Sequence, residues 1–73
     1  MIVYKRNLKK ADINNLDDKE ELIYYHNNNI AYCINQLRDN NYIIRKKKIF
    51  NNELMDERTF KTVEQILKFI PDR

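Results

Sequence analysis

Apolar and polar residues change their spacing along this chain, and each change marks an expected element. Residues 2–6, Ile-Val-Tyr-Lys-Arg, group β-branched and aromatic side chains before charge begins, which predicts a short strand. Residues 7–16 read as polar linker. From about Asp17 to Asp39 the apolar positions fall at helical spacing. Leu16, Ile23, Ile30 and Leu37 recur every seven residues, and Leu22, His26, Cys33 and Ile34 fill in the same side. Asp17 with Glu20 three residues on matches a capping box, and Asp18 and Glu21 add negative charge where a helix dipole favours it. Asn is a weak helix former, so Asn27-Asn28-Asn29 offers a break into two helices as the alternative. The stripe keeps its phase through these residues, which favours one continuous helix.

The segment Tyr42 to Phe60 predicts a hairpin turning at Asn51-Asn52, because Asn accepts positive φ better than any residue but Gly. That turn sets Ile49 opposite Leu54, Lys47 opposite Asp56 and Lys46 opposite Glu57, at the cost of Arg45 facing Arg58. A last helix is expected from about Thr59 to Ile70, with Phe60, Val63, Ile66, Leu67 and Ile70 as its buried stripe and Pro71 as its stop. The expected fold is therefore α+β, in the order β-α-β-β-α: one small domain over residues 1–73, with a short sheet against two helices.

Composition narrows the chemistry. The 73 residues include no Gly, no Ser and no Trp, and only one Cys and one His. Phosphate loops need glycine, a serine nucleophile is excluded, and His26 with Cys33 falls short of the ligand number of a zinc site. The expectation is a protein that is not an enzyme and holds no metal or cofactor. His26 and Cys33 read as structural residues on the buried stripe, and Asp17, Asp18, Glu20 and Glu21 as helix-capping charge. Eleven Asn, ten Ile and nine Lys suit an AT-rich genome, such as that of a phage or mobile element. No window approaches the roughly 18 apolar residues of a membrane span, so a cytoplasmic location, in its own or a host cell, is expected.

Net charge is +3. The densest basic run, Arg45-Lys46-Lys47-Lys48, together with Lys5, Arg6, Lys9 and Lys10, would neutralise several phosphates if the first strand lay beside the hairpin. A helix followed by this basic hairpin resembles, in architecture, the second half of a winged-helix DNA-binding domain, although the turn that precedes a recognition helix is missing. On the outer face of the long helix, Tyr25, Asn28, Tyr32 and Gln36 form a stripe suited to a protein partner, and Ile49, Phe50, Leu54 and Met55 would protrude at the hairpin tip. Two functions follow. The first is a regulatory protein holding a DNA or RNA backbone through the hairpin and first strand. The second is an interaction module or small inhibitor of a host enzyme or defence complex, an anti-CRISPR-like role, docking through the tyrosine stripe and the tip. A second copy of the chain is a further candidate partner, because so small a core gains from association.

Overall fold

A computed structural model describes residues 1–70; the stop expected at Pro71 lies outside the described residues. The α+β class is as the sequence predicts. The elements are β1 (Ile2–Lys5), α1 (Lys10–Asn14), β2 (Glu21–Tyr25), β3 (Ile30–Gln36), β4 (Tyr42–Lys48), β5 (Leu54–Phe60) and α2 (Val63–Phe69). The strands form one sheet in sequence order, with β1 parallel to β2 and the other neighbours antiparallel.

The expected helix over 17–39 is instead the β2–β3 hairpin. Its Asn triplet is the turn: the Asn27 side-chain Oδ1 accepts the N–H groups of Asn29 and Ile30, at 2.8 and 2.9 Å. Asn side chains favour such local bonds over helix continuation. The flanks, Leu22-Ile23-Tyr24-Tyr25 and Ile30-Ala31-Tyr32-Cys33-Ile34, are rich in β-branched and aromatic residues and alternate by two as readily as by seven. With Ile30–Gln36 in a strand, the element directly before the basic hairpin is not a helix, and the winged-helix resemblance ends there.

Residues 7–16 are likewise more than linker. Leu8, Ile13 and Leu16 are buried in the core and hold α1 on the sheet, while the Asp12 carboxylate caps the start of α1 by accepting the Lys9 N–H at 2.9 Å. At the other end, Phe60 finishes β5 and α2 begins later than expected. Thr62 Oγ1 accepts the Gln65 N–H at 3.2 Å, and Gln65 Oε1 accepts the N–H groups of Lys61 and Thr62. That reciprocal cap starts the helix.

The β4–β5 hairpin forms one residue out of the expected register. Arg45 pairs with Glu57 and Lys46 with Asp56, and a bulge follows between Lys46 and Lys47. This register keeps two opposite-charge pairs and removes the Arg45–Arg58 conflict. Asn52, at φ 57°, supplies the positive φ of the tip.

Both helices pack on one face of the sheet. Leu22, Tyr24, Tyr32, Ile34, Tyr42 and Ile44 meet Ile13, Leu16, Val63, Ile66 and Ile70 in a single core. Ile34 and Ile44 face each other on the two central strands, fully buried. Ile34→Ala should therefore cost about 2–5 kcal/mol in a urea titration. Asn27→Ala, which removes the acceptor of the turn, should cost about 1 kcal/mol.

Candidate nucleic-acid interface

Strand alternation assigns every side chain of the sheet to one of two faces. Those opposite the helices are Ile2 and Tyr4 from β1, Glu21, Ile23 and Tyr25 from β2, Ala31, Cys33 and Asn35 from β3, Ile43, Arg45 and Lys47 from β4, and Glu57 and Thr59 from β5. No described element covers this face. It mixes aromatic and aliphatic side chains with Glu21, Asn35, Arg45, Lys47, Glu57 and Thr59, and the Tyr4 and Tyr25 rings on it are stacked, with centroids 6.0 Å apart and planes 7° from parallel. Tyr4 is 58% exposed.

Alternation also divides the basic run. Arg45 and Lys47 point to the open face, whereas Lys46 stands opposite Tyr32 and Asp56 on the helix side. β1 occupies the far edge of the sheet, three strands and about 14 Å from β4. The predicted basic residues therefore do not converge as one patch. Several are already engaged: Lys5 with Asp12 at 3.4 Å, Lys10 with Glu64 at 2.8 Å, Arg45 with Glu57 at 2.8 Å and Lys48 with Glu53 at 3.8 Å. The Lys10 contact holds the Glu64 carboxyl below its ordinary range. Lys9 is exposed at the start of α1. Arg6 and Lys47 form no ion pair among the described residues.

The expected tyrosine stripe is not formed, for the same reason. Tyr25 lies on the open face, but Tyr32 is 2% exposed in the core, stacked on Tyr24 and set edge-on to His26 and Phe69. Burial, then Tyr24, then Asp56 push the Tyr32 hydroxyl pKa up. Gln36 ends β3 on the helix side, and Asn28 sits in the β2–β3 turn. The tip residues are exposed, Phe50 at 96% and Leu54 and Met55 near half, with Ile49 at 38%.

What the structure does bring together lies at one end of the open face. The β2–β3 and β4–β5 turns meet there, where the Ile49 N–H donates to the Asn29 carbonyl at 2.8 Å. Two pockets share Tyr25 and Ile49 as a common wall. One, of about 130 Å³, is lined by Ile23, Ala31, Cys33, Lys47, Lys48 and Asn52; the other, of about 200 Å³, by Arg6, Asn27 and Asn28. Together they make a groove with an aromatic floor, three cations and three amides. No carboxylate of the described residues lines it. A third pocket, between α1 and the first two strands, is lined by Lys5, Asp12 and Glu20 and carries no such cationic bias.

Reading the sequence for basic runs misses Ile23, Asn27 and Asn52 as groove residues and Tyr4 as the ring stacked on Tyr25 beside it. The signal was present as alternation in Ile2-Val3-Tyr4 and Ile23-Tyr24-Tyr25. Among the described residues no set of three or more His, Cys, Asp and Glu side chains could hold a metal ion, and no helix is long and apolar enough to cross a membrane. No known protein family, curated protein or solved structure matches the chain.

Cys33 reports on this groove. Burial pushes its thiol pKa up and Glu21 adds to the effect, while Lys47 and Arg45 pull it down. A raised pKa leaves less thiolate at a given pH. Labelling by a thiol reagent should therefore be slower at pH 8 than for a free cysteine, and its rate should still be rising above the ordinary thiol midpoint. Lys47→Glu should move that midpoint further up in a rate–pH profile.

Proposed function

We propose that this protein is a non-enzymatic binder of single-stranded nucleic acid, RNA or DNA, and that the open sheet face is its platform. The observation that carries the reading is the carboxylate-free groove on that face, where Arg6, Lys47 and Lys48 surround the Tyr25 floor. Bases need a flat, apolar surface on which to stack, phosphates need cations at its margin, and base edges need amides. Tyr4 and Tyr25 supply the first, Arg6, Lys47 and Lys48 the second, and Asn27, Asn28 and Asn52 the third. A sheet face suits unstacked bases better than a duplex, whose major groove accepts a projecting helix or ribbon.

Two phosphate contacts, from the unengaged Arg6 and Lys47, give a salt slope near −1.4 on a single strand, so affinity should fall roughly sevenfold between about 50 and 200 mM salt. Fluorescence anisotropy of a labelled oligonucleotide measures it. Tyr25→Ala should cost about 1–3 kcal/mol by loss of stacking. The double variant Arg6→Glu, Lys47→Glu should abolish binding at the higher salt, whereas Lys9→Glu, outside the groove, should have a small effect. Salt-independent binding, or equal losses from Lys9→Glu and the groove variants, would contradict the proposal.

A second reading, docking of a host protein, is favoured by the exposed apolar tip of Ile49, Phe50, Leu54 and Met55. Phe50→Ala separates the two readings. A protein hot spot there costs about 2 kcal/mol or more of partner affinity, while oligonucleotide binding depends chiefly on Tyr25.

A further inference from the structure

The two edges of the sheet are unlike. β5 is guarded: Asp56 Oδ1 accepts the Glu57 N–H at 2.8 Å and its Oδ2 accepts from Arg58 Nε at 3.1 Å, so a carboxylate occupies one backbone donor of that strand and three charged side chains lie along it. Charged side chains on an edge discourage further strand pairing. β1 has no such guard. Met1 to Tyr4 carries no charged side chain, and Ile2 and Tyr4 are 48% and 58% exposed.

The phase of the β1–β2 ladder fixes which backbone groups of β1 face outward. The Glu21 N–H donates to the Met1 carbonyl at 2.9 Å, and Ile2 stands opposite Glu21. In a parallel ladder this directs Met1 and Val3 groups toward β2, leaving the N–H and C=O of Ile2 and Tyr4 pointing away. Among the described residues, two donors and two acceptors without a partner thus lie two residues apart on an edge segment, Ile2 to Tyr4, that carries no charged side chain.

We propose that β1 pairs with β1 of a second copy of the chain, antiparallel about a two-fold axis at Val3, joining two five-stranded sheets into one of ten strands. In this register Ile2 of each copy faces Tyr4 of the other, and the two residues exchange both backbone hydrogen bonds. Their side chains form an aliphatic–aromatic pair on the open face, which is a favourable cross-strand combination. The charges at the ends of the strand are already engaged, the terminal ammonium with the Lys19 carbonyl at 3.0 Å and Lys5 with Asp12. An even register also keeps both sets of helices on the same side of the joined sheet.

Sedimentation equilibrium without nucleic acid tests this pairing, so its result is independent of the binding proposal. The wild type should approach twice the 9.0 kDa chain mass as concentration rises. Ile2→Lys, which puts a charge on the edge while leaving the bonds to β2 in place, should weaken the dimer at least about tenfold with an unchanged circular dichroism spectrum. The two Val3 Cα atoms would lie about 4.5 Å apart as a non-hydrogen-bonded pair, within disulfide reach, so Val3→Cys should form a covalent dimer on mild oxidation. A wild type that stays monomeric overturns the proposal, as does a Val3→Cys protein that fails to cross-link or a dimer unaffected by Ile2→Lys.

Discussion

Two helices of five and seven residues can cover one face of a five-stranded sheet and no more. The sheet is about 24 Å wide at the usual strand spacing, and two helices side by side span about 20 Å. All the helical surface is spent on the side that holds Ile34, Ile44, Ile13 and Ile66, where the core is sealed. The opposite side therefore remains a surface, and its composition is the main indication of what the protein does. A face destined only for water would be polar at alternate positions. This one presents Ile2, Tyr4, Ile23, Tyr25 and Ile43 among Glu21, Asn35, Arg45, Lys47, Glu57 and Thr59, with Arg45 already held by Glu57.

Strand geometry then decides which charges belong to the site. Four consecutive basic residues suggest a single electropositive block, but a period of two sends Arg45 and Lys47 one way and Lys46 the other. Ion pairs engage several of the remaining cations. Arg6 and Lys47, without an ion pair among the described residues and on opposite sides of Tyr25 and Ile49, are left to define the field of the groove. Exposed ion pairs contribute little to stability, so these carboxylates act mainly by restricting where an anion can bind. The groove is the place they leave open.

Much of the fold is legible in the sequence where local chemistry and tertiary packing agree. Ile2–Lys5, the hairpin between Tyr42 and Phe60 and the helix capped by Thr62 all follow from β-branched runs, Asn turns and apolar spacing. The segment 17–39 misleads because its sevenfold spacing is compatible with two structures. Leu16, Ile23, Ile30 and Leu37 would share a helix stripe, yet they lie respectively in the core, on the open face, at the core margin and in an exposed turn. The Asn27 side chain decides between them by closing the turn, and that bond cannot be inferred from periodicity. The candidate site is less legible still, because Arg6, Tyr25, Asn28 and Lys47 are brought together by pairing of strands distant in sequence.

The proposed binding surface is the uncovered sheet face, at the end where the two turns meet. Amide chemical-shift mapping during titration with a short single-stranded oligonucleotide tests it most directly. Binding at this face should concentrate the shifts at Arg6, Tyr25, Asn27, Asn28, Lys47 and Ile49 and leave residues of α1 and α2 unmoved. Shifts confined to the helices, or none at an oligonucleotide excess in low salt, would contradict it.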